Sequence, residues 1–530
     1  MSKGFVGLTL HAHLPFVRHP EYPRFLEEDW LFEAVSETYL PLLRVFNKLR
    51  REGVSYQVSI SLSPTLCSML ADPLLQQRYV DHVSMMIELG DKELERTKET
   101  PKIHKLAHMY RELYKQNLSD FTGVYRGNIL QGFRSLEDSG HLTLITTSAT
   151  HAFLPLYKET PIAVKAQIEL AMMSHVAHFR RKPKGFWLPE CGYYPGLEKY
   201  LAHNNIEYFY GATHSVSLSE DKTKRGVYAP VSCKNGVNLF ARDYGIGQLV
   251  WSEDHGYPVD GSYRDFYRDI GYDLDLDYIR PFIHEPDVRS FTGYKYWAVT
   301  DHENPQKDVY EQESAMVRVS EHADNFIYML KKKSGKIGKI IDREPYFTIP
   351  FDAELFGHWW FEGVQWLEQV LRGLAEDTEL ETLSPERYLK RYPKNEVIRP
   401  ALSSWGNRGY SSVWVDGSND WIYRHVHRSI NRMIELADRF PDQTSLKERF
   451  LQHAAREVLM SMASDWPFII SNGTSVNYAE RRMKEHIHNF NLVYENMCRN
   501  SVNTEWLTRT EKKTNIFPDI DYRIFGKGIE

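Results

Sequence analysis

Seven short apolar runs in the first 360 residues, each followed by a side chain able to do chemistry, constrain this chain more than any other feature. They are Phe5 to Leu10, Tyr56 to Ile60, Leu142 to Thr146, Gly185 to Leu188, Ile206 to Tyr210, Val237 to Ala241 and Tyr346 to Phe351. Runs of this length read as strands, and the stretches between them carry helical periodicity. Strands alternating with helices imply a parallel sheet with helices outside, for which a barrel is the natural closure at this length. The runs end in His11 and His13, Ser61 and Ser63, His151, Glu190, His214, Arg242 with Asp243, and Asp352. In a barrel those ends converge on one face.

Two stretches break the alternation. Residues 75–120 are charged and periodic, as in Glu93-Leu-Glu-Arg-Thr-Lys98, and read as a helical insertion between the second and third strands. From Cys233 to about Pro305 the chain is rich in Gly, Tyr and Asp, too long for a connector, and reads as active-site loops. After Pro400 the pattern is almost wholly helical, which puts a domain boundary near Lys394 to Pro400. The expected organisation is a barrel domain over 1–395 and a helical domain over 396–530.

Composition excludes several classes of function. A net charge of -6 carries no polyanion-binding signature, so nucleic acid is not an expected partner. The apolar-leaning stretch before His11 is too short for a signal-peptide core, and no run approaches a membrane span. Cys67, Cys191, Cys233 and Cys498 are widely spaced with no C-x-x-C pair, which argues for a reducing compartment and a cytoplasmic protein. The sequence carries no signal of oligomeric state.

Two acidic motifs point to a reaction class. Gly185-Phe-Trp-Leu-Pro-Glu190-Cys-Gly-Tyr193 and Pro350-Phe-Asp352-Ala-Glu-Leu-Phe-Gly-His358-Trp-Trp360 each set a carboxylate at a strand end among aromatic residues. Such a pair suits glycosidic-bond chemistry, where one carboxylate attacks the anomeric carbon and the other carboxyl protonates the leaving oxygen. Taken singly, an acid at a strand end is more often a helix cap or salt-bridge partner; pairing reverses that weighting. His11-Ala-His13 opens a rival reading, because some metal-dependent hydrolases begin this way and His151, His214 and His358 would extend a ligand set. The chain has no H-E-x-x-H, and sugar hydroxyls themselves call for neutral donors, so neither a metal nor a cofactor is expected. Tryptophans in the Gly- and Ser-rich stretch Ser403 to Trp421 are poor core candidates, and a flat indole packs well on a sugar ring.

These motifs carry a resemblance. Leu10-His-Ala-His-Leu-Pro15, Ala149-Thr-His-Ala-Phe-Leu-Pro155, Trp187-Leu-Pro-Glu-Cys-Gly-Tyr193, Tyr263-Arg-Asp-Phe-Tyr-Arg-Asp-Ile-Gly271, Phe351 to Trp360 and Ser403-Ser-Trp-Gly406 occur in the order found in glycoside hydrolase family 57. The chain resembles the branch of that family holding 1,4-alpha-glucan branching enzymes and proteins described as alpha-amylases. The resemblance implies an incomplete (β/α)7 barrel with an inserted helical subdomain and a C-terminal helical domain that contributes to the glucan cleft. It implies a retaining reaction on an alpha-glucan, with Glu190 as nucleophile and Asp352 as general acid/base. It makes His11, His13 and His151 hydrogen-bonding residues for sugar, and Trp30, Arg264, Tyr272, Trp360, Trp405, Trp414 and Asp465 further substrate-binding residues. Tyr257 would sit on a mobile loop over the catalytic carboxyls.

What separates branching from hydrolysis is the acceptor, a glucan 6-hydroxyl or water, so a lid and an acceptor groove decide the outcome. The chain departs from the family pattern in both places. Val259 and Gly261 replace Gly and Pro in the loop around Tyr257, and Arg408 stands where a small residue is usual beside Trp405. Branching is the leading expectation, an alpha-amylase or 4-alpha-glucanotransferase the second, and a non-catalytic glucan-binding protein the third. Both acidic residues are present, which counts against the third.

Overall fold

The computed structural model of the protein describes residues 4–300, 306–501 and 503–527. Residues 1–3 of the N-terminal segment and the last five residues of the expected loop stretch, up to Pro305, lie outside the described residues. Among the described residues ten strands form one sheet: β1 (Gly4–Ala12), β2 (Val58–Leu62), β3 (Leu142–Thr147), β4 (Gly185–Trp187), β5 (Tyr208–Gly211), β6 (Val231–Ser232), β7 (Asn238–Ala241), β8 (Tyr346–Asp352), β9 (Leu380–Thr382) and β10 (Glu396–Val397). Each of the seven apolar runs forms a strand, and together they make a continuous parallel array in the order β7-β5-β4-β3-β2-β1-β8. β6 pairs antiparallel with β7, β10 extends that edge, and β9 adds to the start of β1.

The array curls without closing. Asp243 N–H, just past β7, donates to Thr348 O of β8 at 2.8 Å, yet among the described residues no ladder joins the two strands. This is the incomplete (β/α)7 barrel. β1 is buried at all nine positions, as a strand covered on both faces must be. Two glycines make room inside. A Cβ on Gly7 would lie 2.1 Å from Tyr346 Oη, and one on Gly185 would lie 2.4 Å from Tyr208 Cζ. Tyrosines therefore fill the interior, with Tyr208, Tyr210 and Tyr346 packed among Phe240, Trp187 and Phe5. A second, larger core lies between the sheet and the surrounding helices.

The stretch 75–120 holds the helices Pro73–Arg96 and Pro101–Ser119, which pack on each other. The first begins where Asp72 accepts the Leu74 and Leu75 N–H groups and Pro73 occupies the first turn, where its missing N–H costs nothing. Residues 394–400 include β10, so the chain is still in the sheet there, and the C-terminal helices begin only at Trp421. They are Trp421–Arg439, Ser445–Ser461, Asp465–Asn472, Val476–Arg499 and Thr504–Lys513. Among the described residues no helix is long and apolar enough to cross a membrane.

Candidate active site

The strand ends meet as the alternation requires. Asp352 closes β8 in register with His11 of β1, and Glu190 follows β4 in a tight turn. That turn is strained. Glu190 and Cys191 have φ of 60° and 51°, and His151 after β3 has φ of 55°, a left-handed region costly for residues with a Cβ. Local bonds hold it in place: Trp405 N–H donates to Glu190 O at 2.9 Å, and Tyr193 exchanges backbone hydrogen bonds with Ser403. The loop after β10 therefore fixes the turn after β4.

Each carboxyl sits in a different environment. Burial pushes Glu190 up to about 7, against the Trp405 indole N–H, which donates to Oε2 at 2.6 Å, and the nearby His13. Burial pushes Asp352 well above the usual aspartate range, and the charges of Glu354 and then Glu190 push the same way. Glu354 is a third carboxyl in the group, raised to about 7 by burial and held by the Tyr39 hydroxyl. Glu354 lies two residues from Asp352 in the same motif.

Beside them lies a stack of imidazoles. His11 rests on Trp187 with ring centroids 4.8 Å apart, and His13 stacks on His151 at 3.8 Å. The Nε2 atoms of His11 and His151 are 2.9 Å apart, so one donates and the other accepts, which requires the accepting ring to be uncharged. Burial pushes both well below the usual histidine range, and the adjacent His13 adds to it. His13 reaches Ser63 Oγ through Nδ1 and Asp465 Oδ1 through Nε2, both at 2.9 Å. His151 Nδ1 meets Ser464 Oγ at 2.8 Å and lies 3.9 Å from Glu190 Oε1. Ser464 and Asp465 come from the C-terminal helices, and no sequence signal singled out Ser464. Imidazole nitrogens that face one another, or serine and aspartate, are not aimed at a common point. Among the described residues no group of three or more His, Cys, Asp or Glu is placed to hold a metal ion.

The family is decided by comparison with known proteins. The glycosyl hydrolase family 57 model matches residues 7–401, three quarters of the chain, and a model of the 1,4-alpha-glucan branching enzyme C-terminal region matches 425–525. The chain belongs to glycosyl hydrolase family 57. A curated relative, a 1,4-alpha-glucan branching enzyme of Thermococcus kodakarensis, is 32% identical over 94% of this chain and 74% of its own. The crystal structure of the alpha-amylase AmyC from Thermotoga maritima is 41% identical, covers 99% of both chains and superposes with a TM-score of 0.93. That of a branching enzyme from Pyrococcus horikoshii is 31% identical, covers 99% of this chain and 97% of its own, with a TM-score of 0.88.

In this family 57 chain several expected substrate contacts lie elsewhere. Trp360 and Trp414 are each 1% exposed, Trp414 stacked on Phe153 at 4.4 Å, so neither offers a ring face to sugar. Gly406 permits the Trp414 burial, since a Cβ there would lie 2.6 Å from its ring. Tyr257 does not reach over the carboxyls. It is turned against the helix Gln312–Ile337, stacked on His322 at 4.5 Å and donating to Asn325 Oδ1 at 2.7 Å. Arg264 is buried within the loops, its backbone N–H donating to Glu362 and its guanidinium lying 4.3 Å from the Phe361 ring centroid. Trp30 is half-buried and perpendicular to Tyr478, and Tyr272 is 49% exposed. Trp405 spends its N–H on Glu190, and Arg242 lies 5.7 Å from its ring centroid. Arg408 is exposed with φ of 55°, and the next residue's carbonyl, Gly409 O, meets His214 Nε2 at 2.8 Å.

Proposed function

We propose that this protein is a retaining 1,4-alpha-glucan branching enzyme, with Glu190 as nucleophile and Asp352 as general acid/base. The observation that carries the reading is the convergence of two half-buried carboxyls, one following β4 and one closing β8, with the Asp352 carboxyl pushed well above the usual aspartate range by desolvation and by the neighbouring carboxylates. Ionised Glu190 attacks C1 of an alpha-1,4-linked glucose while Asp352 gives its proton to the departing O4, leaving a glycosyl ester on Glu190. Asp352, now ionised, takes the proton from a glucan 6-hydroxyl, whose oxygen attacks C1 and releases Glu190. The neutral imidazoles of His11 and His151 and the His13–Asp465 pair suit binding of sugar hydroxyls around the scissile residue.

One observation favours a second reading, an alpha-amylase. With Tyr257 turned onto the helix behind it, water has a freer path to the glycosyl ester. Incubation with amylose separates the two. New alpha-1,6 linkages with few new reducing ends are expected for branching, reducing ends alone would mean hydrolysis, and Glu190→Gln should abolish both while the fold stays intact. Near-normal turnover in that variant would overturn the assignment.

A role in glycogen-type polymer synthesis and a cytoplasmic setting belong to the same proposal. The latter is supported by four unpaired thiols, of Cys67, Cys191, Cys233 and Cys498.

A further inference from the structure

The tandem Trp359-Trp360 sends its two indoles in opposite directions. Trp360 is 1% exposed and Trp359 is 53% exposed. The outward ring is not isolated. Trp359 stacks on Phe266 at 4.4 Å with 30° between planes, Tyr267 packs edge-on to Phe266 at 5.2 Å, and Tyr267 is 74% exposed. Phe266 continues through Phe291 at 5.4 Å to Tyr272 at a further 5.3 Å.

We propose that Trp359, Phe266 and Tyr267 form an alpha-glucan-binding strip that extends the path of the polymer beyond the sugars held at the catalytic carboxyls. This rests on the alpha-glucan reading above and adds a site to it. Three observations favour a glucan over other occupants. The strip is continuous with the catalytic loop, since the Trp359 N–H donates to Glu354 O at 3.2 Å, two residues from Asp352. Its exposed surface is aromatic, an indole with a phenol ring standing edge-on to Phe266 beside it, which suits the C–H faces and hydroxyl rims of pyranose rings. Its floor is rigid: buried Lys295 donates to Phe266 O at 2.6 Å, lies 3.7 Å from the Phe291 ring centroid and pairs with buried Asp269 at 3.4 Å. A preset platform binds without first having to order its side chains.

The test uses the full chain with Glu190→Gln, so that binding is read without turnover. Calorimetry with soluble amylose and with maltotriose should show Trp359→Ala with Tyr267→Ala weakening amylose binding about tenfold, while maltotriose affinity stays within about twofold. Trp359→Phe, which keeps a ring on Phe266, should recover most of the loss, an outcome a merely unfolded loop would not give. Tyr267→Ala alone removes an exposed ring and should shift amylose affinity the same way. Amylose affinity equal to the parent's overturns the strip and leaves the enzyme reading standing. A parent that binds neither sugar overturns the alpha-glucan reading itself. A changed sedimentation mass with unchanged amylose binding would make the face a contact between copies, and also overturns the strip.

Discussion

Glu190 is pulled two ways, and the balance sets the pH at which the enzyme works. Burial raises its carboxyl to about 7, while the Trp405 indole N–H and His13 favour the ionised form. In the proposed mechanism attack needs the carboxylate, so kcat/KM should fall as pH drops through that value, and Asp352, as the proposed acid, should govern the alkaline side. Trp405→Phe keeps the ring and removes the donor, a bond to a charged group worth about 1.5–3 kcal/mol. Its loss raises the Glu190 pKa, so the acid limb of the profile should move to higher pH; a limb that stays in place would show the bond to be idle. Residue by residue, Glu190, Asp352, His11, His13 and His151 were legible because each ends an apolar run. Trp359 and Trp360 were not separable, since two identical neighbours differ only in which way the loop turns them.

At the scale of elements, a π-helical turn holds the loop that follows Asp352 and β8. In Val35–Tyr39 one residue too many is wound into the turn, and this brings three successive grips onto the segment after β8. The Tyr39 hydroxyl donates to Glu354, Glu37 Oε2 meets His358 Nδ1 at 2.6 Å, and the Glu37 carbonyl presses on Gly357. Gly357 has φ of 98°, and a Cβ there would lie 1.9 Å from Glu37 O. Gly357→Ala should therefore cost at least about 1–3 kcal/mol in chemical denaturation and lower kcat by displacing Asp352. Wild-type stability and turnover in that variant would remove the grip from the account. The seven main strands were legible as apolar runs, whereas β6, β9 and β10 have two or three residues each, too few to show any period. The π-turn has no sequence period of its own.

Across the whole molecule, one buried polar chain ties the C-terminal helices to the barrel. His453 lies 3.3 Å from Glu457, Glu457 meets His486 at 2.6 Å, and Arg482 links His486 at 3.2 Å to Tyr478 at 2.9 Å. Tyr478 meets His19 after β1 at 3.1 Å, and Glu28 accepts from the His19 N–H at 2.8 Å and pairs with Arg78 of the insertion at 2.6 Å. Burial opposes the Glu457 charge, but His486 and His453 hold its carboxyl down to about 2. A depressed carboxyl contributes stability that is fully present above the ordinary value of 4.5 and is lost as pH falls from there through about 2. Glu457→Gln should cost about 3–5 kcal/mol near neutral pH and flatten the acid dependence between those values, read by denaturant titration across pH. An unchanged acid slope would exclude Glu457 as its source.

The sequence by itself determined the seven strands, their parallel sense and the two carboxyls on one face. Apolar period and strand ends are local properties that the chain carries wherever it folds. Only the tertiary structure decided which aromatic rings face outward, that Trp405 serves Glu190 through its N–H, that Tyr257 lies away from the carboxyls, and that Ser464 and Asp465 complete the histidine stack from the far end of the chain. These depend on which segments, hundreds of residues apart, press on one another, and packing of that kind leaves no period to read.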